Sequence, residues 1–329
     1  MKRIAINGFG RIGRSLTRAL QQYDNIEIVA INDLADANTL SHLLKYDSIH
    51  GKFDGEISST VHSISINGKK IKTTKERDPK KLPWKELNID TVIECTGLFL
   101  TKELASQHLI AGAKRVILSA PPKSEDIKTV VLGINDQNIN GKEEIISNAS
   151  CTTNAAAPLI KVLHDLYHIE SAYITTVHSY TSDQTLHDSP HRDLRRARAG
   201  AQSIIPTTTG AAKAITKIFP DLDGNIGGCG IRVPVPNGSL IDISVILKED
   251  TTVEAINTAF KDASNTYLKG ILEYTEDPIV SIDIIGNPHS CIFDSELTSI
   301  TGHMVKLVGW YDNEMGYSNR LAELVLKIS

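Results

Sequence analysis

The sequence predicts an α/β protein of two domains, and three observations carry that reading. The first third of the chain alternates short apolar strands with amphipathic helical stretches. A glycine-rich turn stands where the first strand meets the first helix. After Cys151 the texture changes to longer strands with polar residues interspersed. A length of 329 residues also favours two cores over one. The expected domains are residues 1–150 and 151–313, with a last helix at about 314–329 returning to the first. The second domain is expected to be α+β, built on a mostly antiparallel or mixed sheet.

Taken in order, Arg3 to Asn7 reads as an apolar strand. Ile12, Leu16, Ala19 and Leu20 share one helical face, and Glu27 to Asn32 reads as a second strand. This βαβ unit suits a parallel sheet. Asn67-Gly68 marks a hairpin between strands at 61–66 and 69–72. Further strands are expected at 91–94, 115–118 and 129–132. Beyond Cys151, strands are expected at Tyr173 to His178 and Leu240 to Leu247. In the latter, Ile241, Ile243, Val245 and Leu247 share a face. Leu321, Leu324, Val325 and Ile328 form a closing helical stripe.

With 41% hydrophobic and 22% charged residues the chain is an ordinary soluble globular type, without the signature of disorder. Its net charge of −4 argues against nucleic acid as a primary partner. No apolar run approaches the roughly 18 residues that cross a bilayer, so no membrane role is expected. Met1 leads almost directly into the first strand with no secretory pattern, and the expected location is cytoplasmic. Cysteines 95, 151, 229 and 291 form no CxxC pair, so reduced thiols and no metal site are expected.

Two motifs carry chemistry. Gly8-Phe9-Gly10-Arg11-Ile12-Gly13 follows a strand and opens a helix, and Asp33 ends the next strand. Gly8 would make the tight turn, Gly10 would let a pyrophosphate approach the backbone, and Gly13 would allow close helix–sheet packing. The helix N-terminus would then offer N–H groups to the phosphates. This is the Rossmann-type dinucleotide fingerprint. Asp33 would accept from an adenosine ribose and repel a 2′-phosphate, with Leu34 supplying no compensating charge, which favours NAD over NADP.

The second motif is Ser147-Asn148-Ala149-Ser150-Cys151-Thr152-Thr153-Asn154, followed by His178 at a strand end. A free thiol is mostly protonated at neutral pH and needs a base or a helix N-terminus to act as a nucleophile. Ser150 and Thr152 are good helix caps. Pro158 implies a helix that either starts near Asn154 or is distorted there. By residue type alone, Cys and His also suit a hydrolase.

These segments closely resemble the phosphorylating glyceraldehyde-3-phosphate dehydrogenases. The likeness extends through Asn32-Asp33, Ser119-Ala120-Pro121, Pro206 to Lys213, Arg232-Val233-Pro234 and Trp310 to Glu314, then Gly316-Tyr317-Ser318. The resemblance implies oxidation of glyceraldehyde 3-phosphate with NAD and inorganic phosphate to 1,3-bisphosphoglycerate, through a thioester on Cys151. His178 would be the base. Arg11 and Ile12 would contact the pyrophosphate, Arg77 and Ser119 the cofactor region, and Asn313 the nicotinamide carboxamide. Ser150, Thr152, Thr209 and Gly210 match the site for attacking phosphate, and Thr181, Arg196 and Arg232 the groups for the substrate's own phosphate. The resemblance leaves Arg232 open to serving both sites. Ser189 before Pro190 replaces a leucine common in strictly NAD-dependent relatives and leaves room for some NADP use. Met315 and Gly238 are further departures.

The run from His191 to Arg198 looks basic, but in an acidic chain a local phosphate site is a better reading than a polyanion surface. The resemblance places it in a loop that lines a neighbouring subunit's cofactor in a homotetramer. An erythrose-4-phosphate dehydrogenase is the alternative within the same chemistry. Those relatives usually lack the Thr207-Thr208-Thr209-Gly210 run. A hydrolase leaves the glycine fingerprint unexplained, and a non-catalytic binding protein leaves Cys151, His178 and Arg232 unexplained.

Overall fold

The computed structural model describes residues 1–328. They divide into two compact units. The first comprises Met1–Val130, Gln137–Ala149 and the C-terminal segment from Ser318; the second comprises Val131–Asp136 and Ser150–Tyr317.

The first unit begins β1 (Lys2–Asn7), α1 (Arg11–Ala19), β2 (Ile26–Asn32) and α2 (Ala37–Lys45). A short ribbon, β3 (Tyr46–Asp47) and β4 (Gly51–Lys52), leads to β5 (Ile57–Thr60), β6 (Ser63–Ile66) and β7 (Lys69–Thr74). Then come β8 (Thr91–Glu94), α3 (Lys102–Ile110), β9 (Arg115–Leu118), β10 (Lys128–Thr129) and β11 (Ile145–Ser147). Nine strands form one sheet in the order β10-β11-β9-β8-β1-β2-β7-β6-β5. From β10 to β7 neighbouring strands pair in parallel. Asn67 and Gly68 take φ of 49° and 78°, the left-handed turn that the hairpin between β6 and β7 needs. Ile4, Ala5, Ile6, Val92, Ile93, Val116 and Ile117 are wholly buried, as expected of parallel strands covered on both faces. The strand expected at 129–132 ends at Thr129 instead. Val131 onward turns, held by the Asn135 side chain accepting from the Val131 N–H at 2.8 Å.

The second unit opens with α4 (Cys151–Tyr167), β12 (Ile169–Ser179), β13 (Ile205–Thr207), α5 (Ala211–Ile218), β14 (Ile226–Val233) and β15 (Ser239–Leu247). It continues with α6 (Val253–Asn265), β16 (Leu272–Thr275), β17 (Cys291–Asp294), β18 (Ser299–Thr301) and β19 (Met304–Tyr311). Helix α7 (Met315–Ile328) closes the chain. The sheet order is β13-β14-β12-β15-β19-β17-β16, with β18 on β19. Two of its pairings are parallel and the rest antiparallel. Along β15, Ile241, Ile243, Val245 and Leu247 are buried and alternate with half-exposed residues, so one face is covered. Helix α4 lies on that face. Pro158 sits inside α4 without ending it, so the helix starts at Cys151 and not near Asn154. An interior proline costs about 3 kcal/mol. The buried stretch Ala155–Ala157 with Leu159, Ile160, Val162 and Leu163 outweighs it, at about 1.5–3 kcal/mol for each large side chain. Gly238 has φ +85° and a Cβ there would lie 2.3 Å from the Ser281 carbonyl oxygen, which accounts for glycine at that departure.

Candidate active site

In the first unit, the C-terminal ends of β1, β2, β7 and β8 form one edge. Gly8 has φ +93°, and a Cβ on Gly13 would lie 2.4 Å from the Gly8 carbonyl oxygen, so both glycines are required by the turn. At Gly10 a Cβ would meet nothing within 4 Å, so that face of the turn is open. Gly10 is the N-cap of α1 and makes no side-chain cap bond, so the open face of the turn lies at a helix N-terminus. Asp33 accepts from the Phe9 N–H at 2.7 Å and from the Ala35 N–H at 3.0 Å, which fixes its carboxylate beside the turn. The Arg11 guanidinium pairs with Asp47 at 2.6 Å, and this contact with two backbone N–H groups holds the Asp47 carboxyl down to about 2 despite its burial. The Arg11 side chain is thereby held on Asp47 at the first turn of α1. Arg77 is exposed in the segment after β7, and Ser119 follows β9 with its N–H on the Glu94 carbonyl at 3.0 Å. An open glycine turn at a helix N-terminus and a fixed carboxylate fit the pyrophosphate and ribose of a dinucleotide.

In the second unit, register brings the reactive groups together. His178 is paired with Arg232 across β12 and β14, and residues so paired share a face. Thr176, two residues earlier, lies on the same face opposite Ile241. Ser150 caps α4, its hydroxyl accepting from the Thr153 N–H at 3.0 Å, so Cys151 occupies the first helical turn. The Cys151 Sγ lies 3.4 Å from His178 Nε2. His178 Nδ1 is 2.7 Å from the Ser179 carbonyl oxygen, which also accepts from Arg232 Nη1 at 2.9 Å. Nδ1 also lies 2.7 Å from Arg232 Nη1, which can only donate, so its neighbours fit either tautomer; the Nε2 lone pair faces sulfur, as a base requires, in the form with the ring proton on Nδ1 toward the Ser179 carbonyl.

Burial, then the Arg232 charge, lowers His178 to about 3. Burial pushes the Cys151 thiol up, against a smaller pull downward from Arg232 and from the Thr152 hydroxyl and amide. The resting pair is therefore thiol and neutral imidazole, with the proton ready to cross once charge develops on a bound carbonyl.

The other expected residues stand in three groups. Thr152 is buried, its hydroxyl 3.2 Å from that of Tyr311. Thr209 accepts from the Ala211 N–H at 3.2 Å, and Gly210 is the N-cap of α5 with open space beside it. Arg196 is engaged by Asp183, by the Thr207 hydroxyl at 3.0 Å and by Asp193 at 3.7 Å. Its charge still acts on both His178 and Arg232. Thr181 begins a turn closed by the Gln184 N–H at 2.9 Å. Asn313 is buried, its Oδ1 accepting from the hydroxyls of Ser179 and Ser239 at 2.9 Å each, which leaves Nδ2 as its outward donor.

Tyr311, Ser179 and Ser239 were not singled out by sequence reasoning. Tyr311 joins Thr152 to Thr176, 2.8 Å from the latter, and sets its ring edge-on to His178 at 5.9 Å. Nothing in their spacing marks them; only strand register does.

The family model described as glyceraldehyde 3-phosphate dehydrogenase, NAD binding domain, matches residues 2–102, and that for the C-terminal domain matches residues 150–313. The chain belongs to the glyceraldehyde-3-phosphate dehydrogenase family. It is similar to glyceraldehyde-3-phosphate dehydrogenase of Geobacillus stearothermophilus, 53% identical over 99% of this chain and 98% of the relative. It is 54% identical to that of Thermotoga maritima, over 100% of both chains. It is also 53% identical to glyceraldehyde-3-phosphate dehydrogenase 2 of Streptomyces avermitilis, over 98% and 97% respectively. As a member of the glyceraldehyde-3-phosphate dehydrogenase family, the chain is an NAD-dependent oxidoreductase with a Rossmann NAD-binding domain and a C-terminal catalytic domain. Among the described residues, no helix is long and apolar enough to cross a membrane, and no cluster of three or more His, Cys, Asp or Glu could hold a metal ion.

Proposed function

We propose that this chain oxidises glyceraldehyde 3-phosphate to 1,3-bisphosphoglycerate with NAD and inorganic phosphate, as a cytoplasmic homotetramer of glycolysis or gluconeogenesis. The observation that carries the reading is the thiol–imidazole pair at 3.4 Å with Arg232 beside it. Residues 1–150 hold the cofactor, residues 151–313 do the chemistry and build the tetramer, and the last helix belongs with the first domain.

The Cys151 sulfur attacks the aldehyde carbon as its proton passes to His178 Nε2, and His178 hands that proton to the carbonyl oxygen, which becomes the hydroxyl of a hemithioacetal. The Cys151 N–H and His178 steady the developing oxyanion. Bound NAD supplies the hydride acceptor. His178 takes the hydroxyl proton as the hydride leaves carbon, so a thioester remains on sulfur. Phosphate oxygen then attacks the acyl carbon, the carbon–sulfur bond breaks, acyl phosphate departs, and the leaving thiolate takes the proton held on His178, restoring the thiol.

Arg232, Arg196 and Thr181 bind the substrate's phosphate, while Ser150, Thr152, Thr209 and Gly210 receive the attacking one. Arginine suits both roles because its planar fork matches phosphate oxygens. Gly8, Gly10, Gly13 and the Arg11 and Ile12 amides seat the pyrophosphate, Asp33 the adenosine ribose, and Asn313 the carboxamide. Arg77 and Ser119 line the cofactor region.

An absorbance assay at the NADH band tests the reading, with glyceraldehyde 3-phosphate, in the presence and absence of phosphate. Sustained turnover only with phosphate is the expected result. Equal sustained rates without it would refute the phosphorylating step.

A further inference from the structure

Four adjacent parallel strands of the first unit end on a single row of polar residues. Glu94, Asn7, Asn32 and Thr74 are register neighbours across β8, β1, β2 and β7. Glu94 and His108 are 0% exposed, Asn7 2% and Asn32 5%. A carboxylate so buried costs several kcal/mol unless its oxygens are satisfied. Both are. Glu94 Oε2 accepts from Asn7 Nδ2 at 2.6 Å and from His108 Nε2 at 3.1 Å. Oε1 accepts from the Thr96 N–H at 2.7 Å and from the Thr96 hydroxyl.

The direction of each bond is fixed by its neighbours. An indole nitrogen only donates, and Trp84 Nε1 lies 3.0 Å from His108 Nδ1. Nδ1 is thus the acceptor, and Nε2 carries the hydrogen toward Glu94. Asn7 gives its N–H to Glu94, which turns its Oδ1 toward Asn32 Nδ2 at 2.7 Å. Asn32 Oδ1 then accepts from the Thr74 hydroxyl at 2.8 Å and the Glu76 N–H at 2.9 Å. Every bond in the row runs toward Glu94, so neither amide is free to flip.

The segments leaving this row are those that shape the glycine turn. The Gly8 N–H donates to the Asn32 carbonyl at 2.8 Å. A Cβ on Gly8 would lie 2.8 Å from the Thr96 nitrogen, so Thr96, pinned by Glu94, is the wall against which the turn packs.

We propose that Glu94 is a positioning residue for dinucleotide affinity, its carboxylate backed by His108 and Trp84 and setting the Gly8 turn through Thr96 and Asn7. The proposal rests on the reading of this edge as the NAD site. It concerns a residue that touches neither NAD nor substrate.

Glu94→Gln keeps the side chain's size but turns one oxygen into a donor. That end must face the N–H groups of either Asn7 and His108, or Thr96. In the full-length enzyme, the Kd and KM for NAD should rise by about tenfold or more. Turnover at saturating NAD and the pH profile of Cys151 alkylation should stay as in the unmodified enzyme. Thr96→Val keeps the Thr96 N–H bond to Glu94 but removes the hydroxyl's bond to Glu94 and the one it accepts from the Leu98 N–H at 3.1 Å, and should raise the NAD Kd by about threefold, again without loss of saturated turnover. It decides the matter alone if Glu94→Gln does not fold.

NAD titration of the unmodified enzyme separates the two ideas. If that protein does not bind NAD, the reading of the edge fails. If it binds and the variants bind as well, the positioning role is overturned. Loss of saturated turnover and alkylation along with NAD affinity would also overturn it, because a general structural defect would then explain the result.

Discussion

Two buried histidines, one in each unit, show how partners divide the same side chain between scaffold and chemistry. His108 is 0% exposed and His178 4%. The nitrogens of His108 lie between an indole that can only donate and a carboxylate already accepting from Asn7. Each of its bonds is matched, and a change at either nitrogen would leave a buried group unpaired. His178 faces a thiol on one side and, on the other, a carbonyl and a guanidinium. Its Nε2 partner is the one group in either set whose proton can leave. Burial alone does not make a histidine reactive; an adaptable partner does.

The largest expected effect is on that partner. Cys151→Ser should fold and bind NAD but lose dehydrogenase activity by on the order of 10⁴-fold or more, because a hydroxyl is a far poorer nucleophile than sulfur here. Steady-state assays would settle it, and substantial residual turnover would mean the nucleophile lies elsewhere. His178→Asn should retain acyl transfer to Cys151 but run about 10²–10⁴-fold more slowly, as expected for loss of a general base.

The same comparison has a pH form. An unfolded chain protonates histidine near 6.5, whereas buried His178 does so at about 3. Between those values the unfolded state binds more protons, so stability falls on acidification, by up to about 4–5 kcal/mol over the full window. Denaturant titrations at neutral and mildly acid pH should show a steeper loss for the unmodified enzyme than for His178→Asn. Parallel losses would place His178's proton uptake at its ordinary value.

Arg232→Leu sharpens the contrast from the other side of the ring. Without that charge the thiol should move further up, and the alkylation profile of Cys151 should shift to higher pH. KM for the triose phosphate should rise by about tenfold or more, and much less for unphosphorylated glyceraldehyde. Equal losses for the two aldehydes would dissociate Arg232 from phosphate recognition.

The smallest effect concerns Asp33. NAD should be preferred over NADP by about tenfold in kcat/KM, and Asp33→Ala should shrink that margin. An unchanged ratio would remove Asp33 from cofactor choice.

What could be read from the sequence was local. The glycine turn, Asp33 and the capped segment around Cys151 each lie within a few residues, so spacing alone exposes their geometry. His178 was legible as a strand end, but its Arg232 neighbour depends on the β12–β14 register. Register likewise hides the row from Glu94 to Thr74, whose members are separated by up to 87 residues yet sit side by side. Arg196 reads as a phosphate ligand in a basic run, and its hold on Asp183 and Asp193 appears only in the fold. Of the two outcomes Pro158 allowed, a start near Asn154 is excluded by a helix that begins at Cys151 and runs through the proline, because residue propensity carries no account of the packing that overrides it.

Mass spectrometry of the intact enzyme, after brief exposure to glyceraldehyde 3-phosphate and NAD without phosphate, tests the Cys151 thioester most directly. The expected result is one 3-phosphoglyceroyl group per chain, mapped to the peptide carrying Cys151, released on adding phosphate and absent from Cys151→Ser. An adduct on Cys95, Cys229 or Cys291, or NADH formed with no covalent species at all, would contradict it.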